Sequence, residues 1–374
     1  MSDLSTKQPN SSNTYAFGGS NLYGELGTGE KYPPESPKEV ELSNIKTIAC
    51  GKYDSAFVTE DGKVYTSGLL KYGRLDYEPG VYPLAPSLVP VYKTINDSDD
   101  PKSYTKELKK VTQIAVGSSF MVAVTDDNEV YSWGINTLST LGTGDNNTRY
   151  ESTFIKKFDN PIKKISCGED HTALLLNDGT VWTWGWNCYG ELGLGDTKQR
   201  NIPMEIPDLK NIIDISCGNY HTCAVNRYGI VYSFGNNQYG QLGLGDTKHR
   251  SIPTIIPTIR NINSVSGGFL HTAVIDINGD VYTFGNNCSG QLGLGDKVDR
   301  LIPTKIEVIR NVKQISCGSY TTAMITNTGK LVTIGQQLCN YADHNQISII
   351  QIQEDVSEVV CKGHLIFKIK IKID

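Results

Sequence analysis

Apolar and polar residues alternate along most of this chain in short runs, as in Val231-Tyr232-Ser233-Phe234 and Val281-Tyr282-Thr283-Phe284. A period of two puts successive side chains on opposite faces of a β-strand, so these runs read as strands packed on both sides. Over 212–253 the pattern predicts four strands: 213–217, 221–226, 231–234 and a short outer strand after Pro253. Gly218-Asn219-Tyr220 separates the first two, and Tyr228-Gly229 the second and third. In other copies Asp61-Gly62, Asp178-Gly179, Asn278-Gly279 and Thr328-Gly329 take the latter place, which predicts two-residue hairpin turns. Pro203, Pro253 and Pro303 fall where proline can open an edge strand but not a central one.

The third strand closes on a repeated step: Phe17-Gly18, Ser67-Gly68, Trp133-Gly134, Trp184-Gly185, Phe234-Gly235, Phe284-Gly285 and Ile334-Gly335. Successive glycines are 50 or 51 residues apart, with one interval of 66. Such a period marks a solenoid, a propeller or an array, whose units bury their apolar faces only against their neighbours. Seven inner strand pairs lie near 45–59, 111–125, 162–176, 212–226, 262–276, 312–326 and 356–373. The last pair has no third strand after it, and 14–18 has no pair before it. Joining the two removes the open edge of a linear array. The expected fold is therefore all-β: a seven-bladed β-propeller of four-stranded blades, with a closing blade shared by N- and C-terminal strands. It would occupy 14–374 as a single domain, behind a disordered polar tail at 1–13.

The long interval places an insertion at about 95–110, where acidic and basic side chains balance. A solvated mixed-charge loop is expected there, with a short helix over 103–110 as the alternative. Leu-Gly-Leu-Gly-Asp at 192–196, 242–246 and 292–296 would lock the long loop after the third strand, its Asp accepting backbone N–H groups.

A net charge of −5 gives no general attraction to nucleic acid or to a membrane surface, so neither is expected as a partner. The polar N-terminus lacks a secretion signal and no apolar run is long enough to span a bilayer, so a cytoplasmic protein is expected, a nuclear place being open. Of nine cysteines, Cys50, Cys167, Cys217, Cys317 and Cys361 share one register of the repeat, without any Cys-x-x-Cys pair. They read as small buried strand residues rather than metal ligands, and neither a metal nor a cofactor is expected. No nucleophile with its base is seen.

Taken together, Cys-Gly-x-x-His-Thr, Asp-Gly, Val-Tyr-x-Phe-Gly and Asn-x-x-Gly-Gln-Leu-Gly-Leu-Gly-Asp closely resemble the regulator of chromosome condensation repeat over 14–373. The resemblance implies a seven-bladed propeller. It also implies a protein-binding role, either as a nucleotide exchange factor for a Ran-like small GTPase or as a non-catalytic scaffold for another protein. A tryptophan-based light sensor is set aside, since Trp133, Trp182, Trp184 and Trp186 lie on or just after third strands and not in the Cys-Gly-x-x-His-Thr turns. A monomer is expected.

In a propeller the turns between first and second strands open on one face. Here they carry Asp54, Glu169, Asp170, His171, Tyr220, His221, Phe269, His271 and Tyr320, an aromatic, acidic and histidine ring suited to a protein partner. The alternative for the three histidines is structural, each bonding a neighbouring backbone carbonyl and holding its blade together. In the exchange factor of the family an acidic residue before the third-turn histidine contacts the GTPase, and Asp170 matches that position. The chain departs from that factor in three ways: 134–142 has no wedge-like insertion, Leu365 stands in the seventh histidine register, and no basic tail is present.

Overall fold

The computed structural model describes residues 13–18, 20–34, 36–69, 84–89, 91–96, 104–336, 348–350, 356–362 and 365–369. Every regular element among them is a β-strand. Six antiparallel four-stranded sheets are each built from four consecutive strands, the blades of an all-β propeller. In one of these, Ile212–Cys217, His221–Asn226, Val231–Gly235 and Arg250–Ile255 lie in chain order. Thr222 pairs with Phe234 and Ala224 with Tyr232. A further four-stranded sheet takes strands from both ends of the chain, in the order Lys38–Glu39, Thr14–Phe17, Leu365–Ile369, Val356–Cys361. Thr14 pairs with Lys368 and Phe17 with Leu365.

The core lies between sheets, as the two-faced alternation requires. Ala173, Leu175, Val181 and Ile206 of one blade pack on Ile212, Ile215, Cys217, Ala224 and Phe234 of the next. Trp184 is fully buried, and its indole N–H donates to the carbonyl of Thr140 at 3.1 Å. The chain-end sheet is covered on both sides. Val356, Val359 and Cys361 pack on Ala323, Ile325 and Leu331, while Ala16 and Val40 pack on Ile45, Ile48 and Phe57.

The repeated glycine after the third-strand aromatic follows from a close approach. Gly235 has φ 102°, and a Cβ there would lie 2.5 Å from the carbonyl oxygen of Tyr220. The long loop is locked as its sequence predicts. Asp246 accepts the backbone N–H of Lys248 at 3.0 Å and pairs with Arg250 at 2.7 Å, while Asn237 accepts the N–H of Leu242 at 2.9 Å.

Two local expectations are corrected. The hairpin turns have three residues, since Thr59 N–H donates to Lys63 O and Asn226 N–H to Ile230 O. Within them only Gly62 (φ 81°) and Gly229 (φ 70°) are left-handed, the type I turn plus glycine bulge that is the next commonest hairpin connection. The described residues around the insertion form neither a helix nor an open loop. Tyr92–Asn96 and Tyr104–Leu108 form an antiparallel pair, Tyr92 opposite Leu108 and Asn96 opposite Tyr104, because strand pairing satisfies their backbone groups. Residues 1–12, 70–83 and 97–103 lie outside the described residues.

Candidate functional face

The first-to-second strand turns are tied together by backbone hydrogen bonds that run from blade to blade. Ser118 N–H donates to Glu169 O at 2.9 Å, Glu169 to Asn219 at 2.9 Å, Asn219 to Gly268 at 3.1 Å, Phe269 to Gly318 at 3.1 Å and Ser319 to Lys362 at 2.7 Å. This belt fixes the side chains of one face relative to one another.

The three turn histidines are not on that face. His171, His221 and His271 are wholly buried. Each Nε2 lies 2.9 Å from a threonine hydroxyl of the next blade: Thr222, Thr272 and Thr322 respectively. Those hydroxyls spend their one proton on the carbonyls of Glu191, Gln241 and Gln291. The hydroxyl must therefore accept, so Nε2 carries the hydrogen and Nδ1 is bare, and each Nδ1 has no hydrogen-bond partner. Burial holds the imidazoles neutral, with the pKa of His171 pushed down to about 3 and of His221 to about 4. The preceding glycine is obligatory, since a Cβ on Gly168 would lie 2.3 Å from Cε1 of His171. Their placement as partner contacts is thus corrected: they are blade-to-blade ties.

Asp54 is corrected in the same way. It stands in the histidine register, is buried, and its Oδ1 has no hydrogen-bond partner. The residue that matches Thr222 on the next blade is Met121, which offers no polar group. Burial pushes the Asp54 pKa up to about 8, with Glu25 adding to the rise and Lys362 opposing it.

What the face does present is aromatic and acidic. Tyr53 and Tyr320 are exposed, and Phe269 and Tyr220 are half-buried. Phe269 and Tyr320 have ring centroids 6.1 Å apart, and Tyr189 lies 5.6 Å from Tyr220 and 5.0 Å from His249. Asp170 is half-buried and accepts one hydrogen bond, from the Ser118 hydroxyl at 3.2 Å. Its pKa is raised, by burial first and by the charge of Glu169 second. Glu169 itself has Lys52 at 3.8 Å.

Two groups here escape a reading of the sequence. Glu191 is buried beside Asp170, with Oε2 accepting the N–H of Tyr189 at 2.8 Å and Oε1 unpartnered; burial raises its pKa to about 7. Repeat alignment carried the signal. Glu191 stands where Gln241 and Gln291 donate to Asn236 and Asn286, and Trp186 replaces that asparagine. The second is Lys362, whose ammonium reaches the carbonyls of Val116, Gly168 and Cys167 at 2.9, 3.3 and 3.5 Å.

The profile of the RCC1-like domain matches residues 13–365. The chain belongs to the RCC1-like domain family. Among curated RCC1-like relatives, the Ultraviolet-B receptor UVR8 of Arabidopsis thaliana is 31% identical over 188 residues, 49% of this chain and 40% of that protein. The human probable E3 ubiquitin-protein ligase HERC4 is 35% identical over 187 residues, 48% of this chain and 16% of the ligase. The matched stretch thus spans well under half the length of these relatives. Among solved structures, human WBSCR16 superposes with a TM-score of 0.82 at 23% identity, covering 98% of this chain and 100% of that one. Prp20p of Saccharomyces cerevisiae, whose structure was reported with its binding properties to Gsp1p and histones, gives 0.81 at 19%, covering 98% and 93%. At those identities the RCC1-like likeness is one of fold.

Proposed function

We propose that this chain is a protein-binding regulator that engages a small GTPase through the face bearing Glu169 and Asp170, in the manner of a Ran-type guanine nucleotide exchange factor. In this reading the chain-end sheet is the seventh blade, which closes the ring. The observation that carries the proposal is the state of Asp170. Its carboxyl is half-withdrawn from water, lies close to two other acids and accepts a single weak hydrogen bond. A carboxylate so poorly compensated gains from an incoming ammonium or guanidinium. An exchange factor must replace contacts that a GTPase loses when nucleotide and Mg²⁺ leave, and an acid that meets a lysine freed from the phosphates does so. The aromatic pairs around it supply apolar anchors of the kind that dominate protein interfaces.

The test is release of labelled GDP from Ran-like GTPases. Asp170→Ala is expected to melt within a few degrees of the native chain and to slow release about tenfold or more, a loss of about 1.4 kcal/mol of transition-state stabilisation. Equal rates for the two proteins, or no release from any such GTPase, would favour a second reading: a non-catalytic scaffold. The long ligases among the relatives support that reading, since the matched stretch is a small part of each.

A further inference from the structure

Beneath the aromatic face the first strands enclose a channel with a cavity of about 210 Å³. Four of its lining residues, Ser166, Ser216, Ser266 and Ser316, share one register of the repeat. Each hydroxyl oxygen accepts a backbone N–H from the next blade: Cys217 at 2.9 Å, Gly267 at 3.0 Å, Cys317 at 2.9 Å and Cys361 at 2.9 Å. With the oxygen so used, the hydroxyl proton remains to be donated: Ser166 and Ser266 have the sulfurs of Cys217 and Cys317 as acceptors, whereas Ser216 and Ser316 have no protein acceptor among the described residues. Blades at 45–89 and 111–157 carry Ala49 and Ala115 in this register, so the donors form a one-sided arc.

Lys362 enters the same cavity from the chain-end sheet. Its ammonium is held by three carbonyls, and no carboxylate lies within ion-pair distance of it among the described residues. The other ionisable groups of the wall do not supply a counter-ion. Burial pushes the thiols of Cys50 and Cys167 up to about 12 and of Cys217 and Cys317 to about 11, so they are neutral. Glu169 is engaged by Lys52 at the mouth. A positive charge without an ion-pair partner and the unspent hydroxyls of Ser216 and Ser316 make this a cavity in want of acceptors and negative charge.

We propose that the channel binds one small oxyanion of the size of inorganic phosphate. Such an anion offers acceptor lone pairs to the two unspent hydroxyls at once and a charge to Lys362, for which an ammonium is well suited. The cavity admits it together with a few waters, each of about 30 Å³. The site lies inside the channel, and its existence does not depend on the GTPase reading.

Equilibrium dialysis of the full chain against radiolabelled inorganic phosphate, at ionic strength held constant with chloride, tests this. One saturable phosphate per chain is expected, displaced by sulfate and not by added chloride. Lys362→Met should abolish binding and Lys362→Arg should retain it. Should Lys362→Met fail to fold, the variant carrying Ser216→Ala and Ser316→Ala decides. It keeps the ammonium and should bind about tenfold more weakly, as loss of hydrogen bonds to a charged ligand requires. Absence of saturable binding, displacement by chloride as effective as by sulfate, or unchanged affinity in either folded variant overturns the proposal.

Discussion

In the blade that begins at Ile212, His221 sits opposite Gly235 and its Nε2 reaches Thr272 of the next blade. In the blade that begins at Ile45, Asp54 sits opposite Gly68 in the same pairing, over Gly51 as His221 sits over Gly218, yet its Oδ1 meets no donor. Glycines and hairpin register set the backbone in both, and the backbone does not depend on which side chain fills the slot. The slot itself is selective. It suits a neutral ring whose far nitrogen finds a threonine, and it holds an acid only in the protonated form near neutrality. Backbone regularity and chemical regularity are therefore separate properties of this repeat.

The largest disruption of that regularity is removal of the sheet formed by the chain ends. Deleting 1–26, or the last 18 residues, strips strands that contribute Ala16 on one side or Val359 and Cys361 on the other to two inter-blade clusters. Each truncation should lower the melting temperature by about 10 °C or more, a loss of several kcal/mol for a chain of this size. Melting within a degree of the full chain would mean that the ring does not need this sheet.

Next in size is the tie itself. His221→Ala removes a buried ring and the hydrogen bond to Thr272, and should cost about 2–3 kcal/mol by denaturant unfolding at pH 7. The pH dependence follows from the depressed pKa. The unfolded histidine, near 6.5, binds a proton that the folded one refuses until about 4, so the stabilising contribution of the native environment is lost as pH falls below about 6.5. The variant should be less acid-sensitive than the native chain. If both lose stability in parallel between pH 6.5 and 4, the ring is not held neutral.

Asp54 should give the opposite slope. Its folded pKa of about 8 lies above the unfolded value, so the folded state holds a proton that the unfolded state has released. Stability then falls as pH rises from about 4 to about 8, by up to about 1.4 kcal/mol per unit for this one group. Asp54→Asn keeps the shape, removes that slope, and should be more stable than the native chain at pH 8 with little change at pH 4. A loss of stability at pH 8 would show that the carboxylate is wanted in that slot.

The contrast also shows what could be read from residues alone. Period-two alternation, the aromatic-glycine step and the fixed spacing sufficed for the strands, the four-stranded sheets and the locked loop, because each is a local consequence of residue type. The pairing of 14–17 with 365–369 was legible from incomplete units at the two ends. The face was legible only in part. Burial of the histidines depends on a threonine 51 residues later, and their register fits a surface ring equally well. Lys362 has no counterpart in the other repeats, and its place in the channel follows from the sheet formed by the two chain ends rather than from neighbouring residues. Asp-Gly and Asn-Gly suit two-residue turns and also occur in bulged three-residue turns, so the dipeptide alone does not fix turn length.

The smallest stability effect is expected at Asp170, and there the comparison with Asp54 is sharpest. Both acids belong to the same turn motif, and burial raises both pKa values. Asp54 lies inside the protein with one oxygen unpartnered, whereas Asp170 keeps part of its surface in water and has the Ser118 hydroxyl. Solvent screens a half-exposed charge, so its removal should change stability by less than about 0.5 kcal/mol. Asp170→Asn should therefore melt with the native chain at pH 5 and pH 8, while Asp54→Asn separates from it as pH rises. An acid that contributes nothing to folding, set among aromatic side chains on one face, is available for a contact outside the chain. If Asp170→Asn instead lost 2 kcal/mol or more, by about the amount expected for loss of a capping group, the carboxylate would be a brace for its own turn. The case for it as a partner contact would then fall, whatever its effect on GDP release.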